Sequence, residues 1–277
     1  MKRELFIDIE KLIASKNPKA LKRMPRFVIR YLKHILHQDE INEFIEDHKH
    51  LKNADWCQAV VDYMNITFSV KHLERIPKNG KIVIAMNHPL GGMDAMILVT
   101  ALRGHRDDLK FIVNDLLMNL ENMNEMFVGV DKHGKNKLSI REQIGELFQS
   151  DKAVCIFPAG LVSRKKKGLI QDLVWKKTFV TYSKKYDRTI VPIYIDGRLS
   201  RFFYGLSNIR TKLGIKTNIE MLYLANELFK QKNRHFEFVV GEPISPVGLQ
   251  KSGKNDAKQA QEIKEIVYEL RKEITNG

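Results

Sequence analysis

A histidine and an aspartate six positions apart, with two glycines between them, are the residues of this chain best suited to chemistry: Asn87-His88-Pro89-Leu90-Gly91-Gly92-Met93-Asp94. An imidazole can take a proton from a hydroxyl near neutral pH. A carboxylate on its other nitrogen fixes the tautomer and steadies the cation that forms. Pro89 biases His88 toward extended backbone. Gly91 and Gly92 permit a sharp corner and a close approach of ligand to main chain. Plainer roles exist for the same residues. A histidine after a strand can be a satisfied loop residue, and an aspartate at a helix start is an ordinary cap.

A second run, Phe157-Pro158-Ala159-Gly160-Leu161-Val162-Ser163-Arg164, offers binding chemistry. Pro158 and Gly160 set a tight turn. Ser163 brings a hydroxyl, and Arg164 brings a planar fork of donors that suits an anionic oxygen group. Lys165, Lys166 and Lys167 follow. A lysine run is most simply a solvated loop.

Both runs leave apolar segments, Lys81–Met86 and Ala153–Phe157, that read as buried strands. Ala95 to Leu102 reads as a helix packed on a sheet, which puts Asp94 in its first turn, able to fold back on His88. Further strands are expected at 66–70, 110–113, 126–130, 189–195 and 236–240. Helices fall between most of them, one with a Ser139/Glu142 capping box and one over 171–185. Such alternation predicts an α/β fold. Pro192, inside an apolar run, indicates an edge, a bulge or a strand start. Residues 1–65 read as a helical N-terminal segment and 66–277 as the α/β domain. Within the first part, Met24 to Leu36 mixes apolar with basic residues, a pattern that can lie on an anionic bilayer or pack on its own domain.

The chain has 277 residues, and its 47 Lys and Arg outweigh 33 Asp and Glu, a net charge of +14. The excess favours an anionic partner: phosphate, nucleic acid or a membrane surface. No RNA-recognition signature, zinc finger or clear helix-turn-helix is present, so nucleic acid is not expected. Cys57 and Cys155 stand apart without a CxxC partner, which argues against a zinc cluster. Acidic residues interrupt the first ten positions, unlike a signal peptide. No run approaches the ~18 apolar residues of a spanning helix. A cytoplasmic protein with at most peripheral membrane contact is expected.

Taken in order, the blocks resemble the glycerolipid acyltransferases of the 1-acylglycerol-3-phosphate acyltransferase family. Asn87-His88 with Asp94 matches the first block. Lys110 with Phe127 to Lys132 loosely matches the second, Phe157 to Arg164 the third, and Val191-Pro192-Ile193 the fourth. The resemblance covers about residues 66 to 245 and implies a mixed, largely parallel sheet flanked by helices. It departs from the family in three ways: one extra residue between His88 and Asp94, Ala159 where glutamate is usual with Arg164 displaced downstream, and Lys132 where arginine is frequent. These mark a divergent, hemolysin-like branch, also linked to amino-acid-containing lipids, and leave the acceptor open. The resemblance implies acyl transfer from acyl-CoA or acyl carrier protein to a hydroxyl of a lyso-lipid, without metal or cofactor, on the inner face of the membrane. His88 would be the general base and Asp94 its partner. Gly91 and Gly92 would offer N–H groups to the oxyanion. Asn87, Lys132, Pro158, Gly160, Ser163 and Arg164 would bind substrate, with Arg164 on the acceptor's head group. The alternatives are a thioester hydrolase using the same pair, or a basic protein that binds nucleic acid or a membrane surface without catalysis.

Overall fold

Ile82–Met86 is apolar at every position and buried at every position, the pattern of a strand covered on both faces. The computed structural model describes residues 5–114, 117–130 and 137–274. Among these, five helices come first: α1 (Ile9–Lys16), α2 (Pro18–Arg23), α3 (Arg26–Ile35), α4 (Gln38–Asp47) and α5 (Asn53–Tyr63). The α/β part runs β1 (Thr67–Lys71), β2 (Ile82–Met86), α6 (Gly92–Leu102), β3 (Leu109–Asn114), β4 (Phe127–Val130), α7 (Lys137–Gln149) and β5 (Ala153–Ile156). It continues through β6 (Arg164–Lys166), β7 (Leu169–Gln171), α8 (Thr178–Lys185), β8 (Thr189–Ile195), α9 (Arg201–Lys212), α10 (Leu224–Phe229), β9 (His235–Val240), α11 (Pro246–Lys251) and α12 (Asp256–Glu269).

Seven strands form one sheet in the order β1-β9-β8-β2-β5-β3-β4. Neighbours are parallel except β8 and β9, which are antiparallel. The expected mixed, largely parallel sheet is therefore present, with β2 between β8 and β5. Alternation along β2 sends Ile82, Ile84 and Met86 into a core shared with α5 and α6, and Val83 and Ala85 into one shared with α8 and α12. Trp56, Cys57 and Val61 of α5 are buried in the first of these cores, so the last N-terminal helix packs on the sheet itself. At about 1.5–3 kcal/mol per buried large side chain, these two clusters dominate the folding free energy. At the edge where β2 and β8 begin, the buried Arg188 guanidinium donates to the carbonyls of Leu147, Phe148, Ser150, Lys152 and Ile82. Loop carbonyls that the sheet cannot satisfy are thereby paired.

Three local expectations change, and a fourth narrows to one of its alternatives. The lysine run is not a loop: Arg164–Lys166 pairs antiparallel with Leu169–Gln171, with Lys167 and Gly168 at positive φ in the turn. The helix expected over 171–185 begins only at Thr178, because the hairpin occupies Gln171. The helix expected to start at Ser139 begins at Lys137, so Ser139 lies inside it rather than at its cap. Of the three places expected for Pro192, edge, bulge or strand start, the structure has the bulge, in a central strand. Ile193 pairs with Val240 and Ile190 with Ile244, so β8 advances three residues while its neighbour advances four. That bulge absorbs the missing proline N–H, and Gly241 N–H still reaches the Pro192 carbonyl at 2.8 Å.

Candidate active site

Three strand ends meet at the C-terminal edge of the sheet, the usual place for a ligand in an α/β fold. The Asn87 side chain bridges from β2 to β8, accepting from Ile195 N–H at 2.7 Å and donating to Ile195 O at 2.8 Å. Ser163 N–H donates to His88 O at 2.8 Å and joins the loop after β5 to the loop after β2. Gly197, just past β8, packs so tightly on Leu90 that a Cβ there would fall 2.6 Å from Leu90 Cδ2. The two loops named in the sequence thus become one structure, held mainly by backbone and amide contacts.

His88 and Asp94 come together within it. Gly91 takes φ 72° and ψ −135°, a conformation strongly favouring glycine, and turns the chain into α6. Asp94 then points back across the corner. Its Oδ2 lies 2.8 Å from His88 Nδ1 and accepts from Leu90 N–H at 3.0 Å. The Asp94 side chain has no exposed surface, while His88 keeps 18% of its own. Burial pushes the Asp94 carboxyl above its ordinary value; the contacts with His88 and Leu90 work against this, and the nearby Asp172 carboxylate adds to it. On its other side the His88 ring stacks on Phe157, with centroids 4.0 Å apart. An imidazole fixed at Nδ1 and stacked on a ring has its orientation set, and its Nε2 is the remaining site for a proton.

A second carboxylate, which the sequence analysis did not single out, organises the same corner. Asp172 follows β7 and is buried. Its Oδ1 accepts from Ser163 Oγ at 2.6 Å and from His88 N–H at 3.2 Å, and its Oδ2 accepts from Trp175 Nε1 at 2.9 Å. Its backbone is held too: Asp172 N–H donates to Tyr268 Oη at 2.7 Å, and Lys264 Nζ donates to Asp172 O at 2.6 Å. Burial raises the Tyr268 hydroxyl and lowers the Lys264 ammonium. The one sequence signal for Asp172 was its place as one of two acids in a basic stretch, 164–188.

The binding residues read from the sequence divide. Asn87, Gly91, Gly92 and Ser163 lie at the His88 corner. Pro158 is buried and Gly160 turns at φ 67°, with Lys176 Nζ beside it. Arg164 turns inward: its Nη1 donates to Val162 O at 2.7 Å, its Nη2 lies 3.0 Å from Glu220 Oε1, and its guanidinium sits over the Phe203 ring. Glu220 is fully buried and also meets Arg210 at 2.9 Å. The Arg164 fork expected on a head group is spent on a buried ion pair, and the Ser163 hydroxyl is spent on Asp172. Lys132 lies outside the described residues.

A cleft borders this corner and adjoins a second one. The first, about 530 Å³, includes Asn87, Pro89 and Ser163 in its wall. It shares Ile170, Arg198 and Arg234 with a second of about 540 Å³, to which Lys165, Arg201 and Lys230 also contribute and in whose lining no carboxylate stands.

A family model described as Acyltransferase matches residues 11–277. The lyso-glycine lipid O-acyltransferase of Phocaeicola vulgatus is 43% identical over 266 residues, 96% of this chain and 95% of that protein. The protein of the same name from Bacteroides thetaiotaomicron is also 43% identical over 266 residues, covering 96% and 97%. Among solved structures, the 1-acyl-sn-glycerophosphate (LPA) acyltransferase PlsC from Thermotoga maritima superposes with a TM-score of 0.50 at 16% identity, over 97% of this chain and 95% of that one. That last likeness bears on the fold. The family match and the two relatives, each spanning nearly the whole chain, place this protein in the acyltransferase family.

Proposed function

We propose that this chain transfers a fatty acyl group from an acyl thioester to a hydroxyl of a lyso-lipid built on an N-acylated amino acid. The observation that carries the reaction is the His88–Asp94 pair at the glycine corner. His88 Nε2 takes the proton of the acceptor hydroxyl as its oxygen attacks the thioester carbonyl. Asp94 holds Nδ1–H and stabilises the imidazolium. The tetrahedral intermediate collapses, the C–S bond breaks, and His88 returns the proton to the leaving thiolate. The first N–H groups of α6, at Gly92 and Met93, have no intrahelical carbonyl to reach and are suited to the oxyanion. The acyl group arrives activated, so the scheme needs no protein nucleophile and no cofactor.

Two observations support an acceptor without phosphate. Both relatives at 43% identity bear names that specify a lyso-glycine lipid. The Arg164 fork, in the block where the resemblance puts the head-group ligand, is neutralised by Glu220. A buried guanidinium already paired and hydrogen-bonded gains little from an added phosphate. The cleft bearing Lys165, Arg198, Arg201 and Arg234 suits the phosphate-bearing end of the donor, which acyl-CoA and acyl carrier protein both carry; its Lys230 is already paired with Glu227. Among the described residues no helix is long and apolar enough to cross a membrane. The substrates are lipids and the chain is basic, so we place it peripherally on the inner face of an anionic membrane.

The test is transfer by the purified protein. Acyl thioester supplied with N-acylglycine lyso-lipid should yield the diacylated lipid by mass spectrometry, and lysophosphatidate should be a poor acceptor. Free fatty acid as the main product would instead indicate a hydrolase.

A further inference from the structure

Residues 24–36 and 201–219 are basic and contain no acidic residue. Residues 24–36 hold Arg26, Arg30 and Lys33, and residues 201–219 hold Arg201, Arg210, Lys212 and Lys216. Lys33 pairs with Glu10 and Arg210 with the buried Glu220, which leaves Arg26, Arg30, Arg201, Lys212 and Lys216 as the cations these stretches present. The two stretches lie far apart in sequence and meet on the surface. Tyr31 Oη of α3 is 2.8 Å from Tyr223 Oη, and the Tyr223 ring meets the Phe202 ring of α9 edge-on at 4.9 Å.

The surface so joined exposes large apolar side chains: Phe27 and Tyr31 on α3, Phe202, Ile209 and Leu213 on and just after α9, and Leu222 beside Tyr223. Phe27 is 72% exposed and Leu213 is 68% exposed. A soluble protein leaves single apolar residues in water without consequence, but not a joined patch rimmed by cations. The spacing of Phe202, Ile209 and Leu213 makes one stripe along α9. The other side of that helix, with Phe203, Tyr204 and Ser207, is already buried. So α9 is apolar on the inside for its own core and apolar on the outside for something else.

We infer that α3 and α9 together form a bilayer-docking face, with α9 a membrane-contacting element in its own right. An anionic bilayer meets both features, since apolar side chains enter the acyl boundary while Lys and Arg meet lipid phosphates. A second copy of the chain fits poorly, because a twofold contact would set these cations against their own equivalents. The face also leads to the site. Directly after Leu222 and Tyr223 comes α10, whose Leu224 and Leu228 stand where Cβ atoms on Gly91 and Gly92 would touch them, at 3.8 and 3.9 Å. A lipid leaving the bilayer at this face is therefore one short helix from the glycine corner. The inference rests on the lyso-lipid reading for its purpose, but its test reads membrane binding alone.

The experiment is co-sedimentation of the full chain with phosphatidylethanolamine vesicles containing phosphatidylglycerol. Wild type is compared with Phe202→Ser/Leu213→Ser, with Lys212→Glu/Lys216→Glu, and with Val247→Ser as an exposed apolar control on α11. The α9 apolar pair should lower the partition coefficient at least about tenfold. The charge pair should weaken binding only when phosphatidylglycerol is present, and the control should match wild type. Thermal unfolding midpoints within about 3 °C of wild type show that the substituted surfaces remain folded. Unchanged sedimentation of the α9 variants, or no vesicle binding by wild type, overturns the inference. So does a wild-type dimer in light scattering that Phe202→Ser/Leu213→Ser dissolves. Acyl transfer measured on detergent-dispersed substrate is a separate readout, so failure of the docking face and failure of the proposed reaction are told apart.

Discussion

Asp94 Oδ2 reaches His88 Nδ1 at 2.8 Å across five intervening residues, and it does so because Gly91 reverses the chain between them. The extra residue relative to the family pattern is absorbed in that corner, and the pair still meets. Removing the imidazole should cost the general-base contribution of about 10²–10⁴ in kcat. His88→Gln is the cleaner variant, since an amide can still hydrogen-bond Asp94. Its kcat should fall by that factor while its far-UV circular dichroism matches wild type.

In the proposed reaction Asp94 trades stability for catalysis. Burial raises its carboxyl in the folded state above the ordinary value of 3.8, so the native protein holds this proton more tightly than the unfolded chain does. The associated stability is full below the unfolded value and is lost as pH rises through the raised one. Asp94→Asn should therefore melt higher than wild type near neutral pH, with a gap that narrows as pH falls toward 3.8. The same variant should lose most of its kcat, because the charge that stabilises the imidazolium is gone. An Asp94→Asn variant that melts at or below wild type near neutral pH would contradict the raised value.

Asp172 holds the His88 backbone and the Ser163 hydroxyl, and in the proposed reaction it is expected to position His88. Asp172→Ala leaves those donors and Trp175 Nε1 without their acceptor, and each orphaned buried donor costs about 1–3 kcal/mol. Chemical denaturation should register a large loss. Asp172→Asn can keep the contacts of Oδ1 but sets an NH₂ against Trp175 Nε1–H. Adding Trp175→Phe removes that conflict, so the double variant should recover kcat relative to Asp172→Asn alone, a coupling a double-mutant cycle would measure. Recovery of stability without recovery of kcat would mean Asp172 has no part in aligning His88.

Arg164→Ala should behave as a stability mutation. It strips one cation from the buried Glu220, leaving Arg210 as partner. Breaking a buried pair commonly costs about 3–5 kcal/mol, and the remaining arginine should hold the loss near the low end. KM for the acyl acceptor should move little in the protein that stays folded. A selective rise in that KM, with unchanged unfolding, would restore Arg164 to the head-group site.

The sheet was legible because its strands are nearly continuous apolar runs, as in Ile82–Met86 and Thr189–Ile195, and such runs have few other fates in a chain of this size. The His88–Asp94 contact was legible because proline, two glycines and a helix start confine a short loop. The inward turn of Arg164 was not legible, for a physical reason. Its partner Glu220 lies 56 residues away, and nothing local says whether a guanidinium after a tight turn faces a ligand or an interior carboxylate. Asp172 was missed for a related one. A carboxylate that accepts three hydrogen bonds in a core looks, in sequence, like any acid near a lysine run. The outward stripe of α9 was hidden because Phe202, Phe203 and Tyr204 are consecutive, and only the structure divides them between inside and outside.

The most direct measurement is single-turnover transfer by purified wild type and His88→Ala, with acyl thioester and N-acylglycine lyso-lipid, followed by mass spectrometry of the lipid product. General-base catalysis by His88 requires rapid formation of the O-acylated lipid by wild type and a rate at least about 10²-fold lower for the variant at unchanged folding. Equal rates for the two proteins would contradict it.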